Sequence, residues 1–386
     1  QEKSGFHLLK CSTVARMDNE TVELENIFLE SSKSKIGGNA RLNYTSIDDL
    51  SIHPENCTVN IDIQNSLVNT SDLYLFAPDM AKLQQLQSLK GSTLNFGIKA
   101  KGKLNDLNIE TVELSVLKKT TFVAHGQLAG LPDVEKVHFN MKVDLLTTIP
   151  ADLFRFVKPE NFSGIHLPSS MNLNGTVKGT TRSVQTDFKF NSDYGAVIAN
   201  ASYQVQRDGS NKISSNFRMK DLMPGKLLGD TIFGKANLSG NLLFVQNRKG
   251  ESDVEANIVI GDAVYNNYQY KNIEVESTLK KDIVSANINS SDTNFHFDLS
   301  AMADISRPVK KISAEMFIAK ANLKSLNISE RTIDVSTKLK AELEYSNINN
   351  ADVSFIFQNT KLTGENASAT VKLIDLSANS SDRGAS

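Results

Sequence analysis

The sequence predicts an all-β fold, in which antiparallel strands form a twisted, repetitive sheet with only a few short helices. Apolar residues alternate with Ser, Thr, Asn or charged residues along most of the chain, as in Leu94–Ala100 and Asp187–Asn191. This period of two is typical of a strand with one buried face. Turn sequences such as Gly37-Gly38, Arg207–Ser210 and Arg248–Glu251 separate these segments.

Composition limits the classes of partner. Of the 386 residues, 40% are hydrophobic and 22% are charged, and the formal net charge is -2. A nucleic-acid-binding domain carries an excess of Lys and Arg, which this chain lacks. We therefore expect no nucleic-acid partner.

The number of strands predicts an extended architecture. With one strand and turn in roughly 12–15 residues, the chain holds about 25 strands. We expect one continuous β-array over residues 1–386, folded lengthwise into a taco-like groove whose interior is apolar. The polar residues 377–386 are expected to form a disordered tail.

Short helices interrupt the strands at irregular intervals. Segments Asp72–Pro78 and Asp152–Pro159 are closely similar, and a shorter echo begins at Asp221. Each begins with an acidic residue that is a candidate N-cap, followed by apolar residues at helical spacing. The sequence predicts helices near residues 72–89, 150–157 and 221–229, in repeats of some 60–80 residues.

Sequence motifs for catalysis or metal binding are missing. The chain contains no phosphate-binding loop, dinucleotide fingerprint or nucleophile elbow, and its six histidines lie far apart in the sequence. Cys11 and Cys57 lack the C-x-x-C spacing of zinc and redox sites. We therefore expect both to be free cysteines that behave as small apolar residues. We expect no enzymatic activity, no metal and no cofactor.

The remaining candidates are apolar strand residues. They either form the packed core between two walls of a sandwich or line a lengthwise apolar groove. A groove for acyl chains needs continuous apolar area and no specific polar residue. The candidate groove-lining residues are Leu94, Phe96, Ile98, Phe188, Phe190, Val254, Ile258, Phe295, Phe297, Leu299, Phe355 and Phe357.

Some of these segments carry a family resemblance. The helix-then-strand units that begin at Asp72 and Asp152, together with segments 263–273 and 285–294, resemble the periplasmic part of the TamB family. These are translocation and assembly module subunits of the AsmA-like superfamily, here of the Bacteroidota type. The resemblance implies an elongated, taco-like β-structure that bridges the inner and outer membranes of a Gram-negative envelope.

The resemblance also implies a function and a location. We expect a periplasmic segment that offers a hydrophobic groove for phospholipid transport and outer-membrane biogenesis. Its partners would be phospholipid acyl chains and, through regions outside this chain, an outer-membrane β-barrel. An inner-membrane anchor would lie in a segment absent from this sequence. Two alternatives stay open: an assembly factor that offers strand edges or apolar walls to nascent β-barrel proteins, and a structural surface stalk.

Overall fold

The computed structural model describes residues 7–76, 87–347, 350–381 and 384–385. Strands account for 68% of the residues and helices for 8%, which confirms the predicted all-β class. Contacts divide the chain into an amino-terminal unit, residues 1–193, and a carboxy-terminal unit, residues 194–386. The predicted single array over residues 1–386 stays a prediction.

The amino-terminal unit is an antiparallel meander of ten described strands. Each strand pairs with the next along the chain, and no described pairing joins the first strand to the last. The strands are β1 Leu8–Met17, β2 Thr21–Ser31, β3 Lys35–Asn43, β4 Thr58–Asn69, β5 Thr93–Lys103, β6 Asp106–Val116, β7 Thr120–Ala129, β8 His138–Thr148, β9 Met171–Thr180 and β10 Ser183–Ser192.

The carboxy-terminal unit repeats this topology with longer strands. Consecutive strands again pair antiparallel. They are β11 Gly195–Val205, β12 Asn211–Leu222, β13 Phe233–Gln246, β14 Ser252–Tyr265, β15 Tyr268–Lys280, β16 Ile283–Ser291, β17 Phe295–Asp304, β18 Lys310–Asn322, β19 Ile333–Asn347, β20 Asn350–Gly364, β21 Ser368–Ser381 and β22 Gly384–Ala385.

The carboxy-terminal end differs from the sequence prediction of a disordered tail over residues 377–386. Residues Ser377–Ser380 continue β21 and pair with β20, where Ser377 lies opposite Ser354 and Ser380 opposite Ala351. Backbone pairing needs no apolar side chain, so a polar composition alone did not rule out a strand here. Residues 382, 383 and 386 lie outside the described part of the chain.

In a meander, the connections fall on two opposite edges. We call the edge with the connections after odd-numbered strands the odd edge, and the other the even edge, within each unit. The helices are α1 Ile47–Ile52, α2 Thr70–Phe76, α3 Pro150–Leu153 and α4 Pro224–Leu228, with 3-10 turns at Pro54–Asn56, Val134–Lys136 and Pro159–Phe162. Helix α1 lies on the odd edge of the amino-terminal unit. The even edges carry α2 and α3 in the amino-terminal unit and α4 in the carboxy-terminal unit.

The predicted helical segments are shorter than expected. Near 72–89, helix α2 ends at Phe76, and residues 77–86 lie outside the described residues. Near 150–157, α3 covers only Pro150–Leu153, and near 221–229, α4 covers Pro224–Leu228. Prolines at the first positions of α3 and α4 fix where these two helices begin.

The sequence predicted that Asp72 and Asp152 would each cap its own helix, and this prediction is wrong. Asp72 lies inside α2, and its carboxylate accepts hydrogen bonds from the hydroxyls of Ser31 (2.5 Å) and Ser34 (2.7 Å), which flank the β2–β3 turn. Asp152 lies inside α3 and accepts from the backbone amide of Lys119 (2.8 Å) and the hydroxyl of Thr120 (2.9 Å). Each aspartate thus holds its helix against the hairpin turn two strands earlier on the same edge.

The hydrogen bonds to the Asp152 carboxylate keep this side chain ionised. The side chain is only 2% exposed. Burial alone would raise the pKa of its carboxyl, but the hydrogen bonds from the Lys119 amide, the Thr120 hydroxyl and the Lys118 amide outweigh burial and hold the pKa below its ordinary value. The anionic form is therefore the one that the fold stabilises.

Gly37 and Gly38 lie inside strand β3, although their sequence had predicted a turn. Gly38 has φ 151° and sits at a bulge in the pairing of β3 with β4. A Cβ atom at this position would lie 2.2 Å from the carbonyl oxygen of Asp62. The glycine is needed for a close backbone approach rather than for chain reversal.

Substituting Asp152 with Asn should loosen the β6–β7 turn. An amide oxygen is a weaker acceptor than a carboxylate for the Lys118 and Lys119 amides, and we expect these amides to exchange about tenfold faster with deuterium. Hydrogen–deuterium exchange of residues 117–120 measures this. Asp187 is exposed on β10, so Asp187→Asn is the matched control and should leave exchange unchanged. Equal exchange in D152N and the wild type would contradict the anchoring role.

Acid should have the same effect on the wild type. Because the folded-state pKa of Asp152 is depressed, its stabilising contribution is present above the ordinary Asp pKa of about 4 and is lost as the pH falls through the lower folded value. Protection factors for residues 117–120, corrected for intrinsic exchange, should fall between about pH 4 and pH 2. In D152N this pH dependence should be absent, and an equally steep fall in that variant would assign the effect to another group.

Candidate functional site

One face of the carboxy-terminal sheet is apolar and sheltered. Directly opposed residues of antiparallel strands point to the same face, so the strand register aligns side chains into rows that run across the strands. Row A, from β11 to β21, consists of Ala199, Phe217, Gly240, Ile258, Val275, Ile288, Leu299, Met316, Leu339, Phe357 and Ile374.

Three further rows flank row A on this face. Row B lies on the side of the odd edge, and row C lies between row B and that edge. Row B consists of Ala201, Ser215, Leu242, Ala256, Ser277, Ala286, Ala301, Ala314, Ala341, Phe355 and Leu376, and row C of Tyr203, Ile213, Phe244, Val254, Leu279, Val284, Ala303, Ile312, Leu343, Val353 and Ala378. Row D, on the side of the even edge, consists of Val197, Met219, Leu238, Ile260, Ile273, Ser290, Phe297, Ile318 and Thr337.

Side-chain size gives this face relief. Row B carries only Ala or Ser on six consecutive strands, from Ala256 to Ala341, whereas rows A and C carry mainly Val, Ile, Leu or Met there. The result is a shallow trench between two ridges. Six strands at about 4.8 Å spacing give a length of roughly 24 Å, more than the roughly 15 Å depth of one bilayer leaflet.

Five of the six trench residues of row B are half-buried rather than buried. Of the described members of rows A to C, only Ala199 and Ala256 are fully buried, while Ala286, Ala301 and Ala314 keep partial exposure. This face is therefore sheltered without being packed as an ordinary core.

The amino-terminal unit carries a similar face. One row is Phe96, Leu114, Phe122, Leu146, Leu173 and Phe190, and the next is Gly38, Ile63, Ile98, Val112, Ala124, Val143, Gly175 and Phe188. Here the face is better filled. Val59, Ala100, Leu107 and Ile109 form one buried cluster and Leu89, Leu94 and Val116 another.

All twelve sequence-predicted residues lie on these two faces. Leu94, Phe96, Ile98, Phe188 and Phe190 lie on the amino-terminal one, and the other seven lie on the carboxy-terminal one. The buried ones are Leu94 and Phe297, Phe355 is 38% exposed, and the rest are half-buried. The Ala and Ser residues of row B were missed, because a small residue at a buried strand position has no distinctive pattern in a single sequence.

The even edge of the carboxy-terminal unit is closed. Loop 323–332 folds over it, with Leu326 only 2% exposed, and the Asn327 side-chain amide donates to the backbone carbonyl of Asn266 at 2.9 Å. Beneath the loop, Phe297 and Ala321 are buried. Within row D, Ser290, Phe297 and Thr337 are buried and the other members are half-buried, so this flank of the trench is covered in part.

Aromatic side chains and a buried aspartate reinforce the closed edge. Ring centroids of Tyr268 and Tyr270 lie 4.7 Å apart, and those of Phe295 and Phe297 lie 4.6 Å apart. The Tyr268 hydroxyl donates to Asp292 at 2.5 Å. Burial, and then this hydrogen bond to the aspartate, raise the pKa of Tyr268, so its hydroxyl is a proton donor at neutral pH.

The described residues offer little reactive chemistry. No group of three or more His, Cys, Asp or Glu among them could hold a metal ion. His125 contacts Asp144 at 2.7 Å, and this hydrogen bond lowers the pKa of the aspartate, but the pair lies exposed on the polar face of β7 and β8. We therefore treat the apolar face as the candidate site.

Comparison with known proteins identifies no relative. No protein-family model, curated protein or solved structure shows a significant match to this chain. Across the part of the chain that the structure describes, no helix is long and apolar enough to cross a membrane. The family resemblance drawn from the sequence therefore stays an expectation.

The two faces of one sheet should respond differently to truncation. Phe297 in row D is 7% exposed, whereas Phe317 on β18 points to the opposite face and is 46% exposed. Phe297→Ala should lower the free energy of unfolding by about 3 kcal/mol, and the matched control Phe317→Ala by less than about 1 kcal/mol. Urea denaturation monitored by circular dichroism measures both. Equal losses would mean that the closed edge contributes no packing.

Proposed function

We propose that this chain binds phospholipid acyl chains on its sheltered apolar faces and serves as a segment of a lipid-conducting bridge. The observation that carries the proposal is the uninterrupted alignment of rows A, B and C across the eleven strands from β11 to β21, with only Ala or Ser in row B on six consecutive strands. An acyl chain lying in row B would contact the ridges of rows A and C. It could slide from strand to strand, and within the six-strand trench the only polar side chain that it would meet in row B is the half-buried Ser277.

The energetics fit a ligand that needs no specific contact. Burying one methylene contributes about 0.8 kcal/mol, so half-burial of a sixteen-carbon chain contributes roughly 6 kcal/mol. This corresponds to a dissociation constant in the range of tens of micromolar, weak enough for exchange along the surface. Conduction requires such weak binding at successive positions.

The location in the cell and the larger assembly form part of the proposal through the family resemblance. We place the chain in the periplasm of a Gram-negative envelope, between an inner-membrane anchor and an outer-membrane β-barrel partner that would bind regions outside this sequence. The activity would be non-catalytic transfer of phospholipid towards the outer membrane. The supporting features in this chain are the repeated four-strand spacing of α2, α3 and α4 and the apolar faces.

The alternatives predict different occupants for the same face. An assembly factor for β-barrel proteins would hold polypeptide there, and a structural stalk would hold nothing. The most direct test places a photo-crosslinking amino acid, p-benzoylphenylalanine, at Ala301 or at Met302. These neighbours in β17 point to opposite faces, with Ala301 in row B and Met302 52% exposed.

We expect the label at Ala301 to capture phospholipid from a Gram-negative host, and the label at Met302 to capture at least tenfold less. Mass spectrometry of the irradiated, delipidated protein identifies the adduct, and circular dichroism checks that both variants fold. Polypeptide adducts at Ala301 would favour the assembly factor. A lack of any adduct, in a protein that also carries no lipid by native mass spectrometry, would leave the stalk and defeat the proposal.

A further inference from the structure

The two edges of the carboxy-terminal unit differ in charge. Counting each described connection with one strand residue on either side, the odd edge carries seven basic and four acidic residues, and the even edge carries three basic and four acidic residues. The basic residues of the odd edge are Arg207, Arg248, Lys249, Lys280, Lys281, Arg307 and Lys310. The acidic ones are Asp208, Glu251, Asp282 and Asp304.

Several of these basic groups are available for a ligand. Lys280 pairs with Glu255 at 2.7 Å and Arg307 lies 3.9 Å from Asp304. Within the described residues, Arg207, Lys249 and Lys281 make no ion pair. They stand in three successive turns of the odd edge, about 10 Å apart if each turn is two strands from the next.

The acidic residues of the same turns are partly occupied by local hydrogen bonds. Asp208 accepts from the backbone amide (2.8 Å) and the hydroxyl (2.7 Å) of Ser210, and these bonds lower its pKa. Glu251 accepts from the side chain of Asn247 at 2.6 Å. Asp208 and Glu251 are thus engaged within their own turns, whereas Arg207, Lys249 and Lys281 are exposed to solvent.

The basic edge adjoins the open flank of the trench. Row C is the row closest to the odd edge, and none of its described members is fully buried. Lys280 directly follows Leu279 of row C. On the opposite flank, Ser290, Phe297 and Thr337 of row D are buried, and the even edge carries no excess of basic residues. A two-part ligand with an apolar tail in row B therefore finds complementary charge for an anionic end at the odd edge.

We propose that the carboxy-terminal unit orients phospholipids, with the acyl chain in the trench and the anionic phosphate at the basic odd edge formed by Arg207, Lys249 and Lys281. This inference rests on the proposed function and adds the position and the charge of the headgroup. Lysine and arginine stabilise phosphate oxygens by charge-assisted hydrogen bonds, which the apolar face does not offer. The phosphate therefore fixes which way the lipid lies across the strands.

The amino-terminal unit provides an internal contrast. Its odd edge carries seven acidic and three basic residues with described side chains, so it repels phosphate. The acidic residues are Asp18, Glu20, Asp48, Glu55, Asp106, Asp133 and Glu135, and the basic ones are Lys103, Lys136 and Arg182. Headgroup contacts are therefore expected at the odd edge of one unit and not of the other.

The experiment compares two lipids with identical acyl chains, phosphatidylglycerol and uncharged diacylglycerol, delivered to the full chain from neutral detergent micelles. Retained lipid is measured by mass spectrometry after gel filtration. The test variant is Arg207→Glu/Lys249→Glu/Lys281→Glu. The control, Lys226→Glu/Lys324→Glu/Arg331→Glu, makes the same change of charge at the even edge.

We expect the wild type and the even-edge control to retain phosphatidylglycerol about tenfold better than diacylglycerol, and the odd-edge variant to lose this preference. A phosphatidylglycerol with a photoreactive headgroup should label residues 206–210, 247–251 and 280–282, and not the odd edge of the amino-terminal unit.

Equal retention of both lipids by all three proteins would overturn the headgroup site while leaving acyl binding intact. An equal loss in both variants would also overturn it, because the effect would then be one of net charge. If neither lipid is retained by the wild type, the proposed function and this inference both fail.

Discussion

Both units depend on the antiparallel register between consecutive strands. A shift of one residue would turn every side chain of a strand to the other face and break each row at that strand. In the carboxy-terminal unit most bulges lie at or beyond row D towards the even edge, as at Met219–Leu222, His296–Phe297 and Ile318–Ala321, and one, at Tyr345–Asn347, lies at the odd edge. Rows A, B and C pass these points unbroken. The bulges can bend and twist the closed edge without disturbing the trench.

Apolar contacts dominate the faces of the sheets, whereas buried carboxylates accept hydrogen bonds at the even edges. Asp72, Asp152 and Asp292 are each less than 10% exposed. Asp72 and Asp152 accept hydrogen bonds from groups at a neighbouring turn, and Asp292 accepts one from the Lys271 amide near the start of β15. A helix as short as α2 or α3 has little stability of its own, so it needs such an anchor. The same residue type therefore serves three connections of different length, each time as an acceptor for groups that pairing leaves unsatisfied.

Sequence reasoning succeeded where the period-two pattern is strong. Phe188 and Phe190, or Phe295 and Phe297, alternate with polar residues, and the structure places each pair on one face. It failed where the outcome depends on a distant partner. The role of Asp152 requires the β6–β7 turn, more than thirty residues away, and Gly38 is explained only by the approach of Asp62. The polar strand residues 377–380 likewise owe their structure to pairing with β20.

Small residues in row B are a poor choice for stability alone. Ala is less favourable than Val or Ile in strands and buries less apolar area, and here it or Ser recurs on six adjacent strands between larger neighbours. In a self-filled sandwich, a facing wall would occupy the space above Ala286, Ala301 and Ala314, and these residues would be buried. They are half-buried instead. A trench that the described side chains leave unfilled, between a partly buried even-edge flank and an odd edge with cations that make no ion pair, is the feature that the proposed amphipathic ligand would occupy.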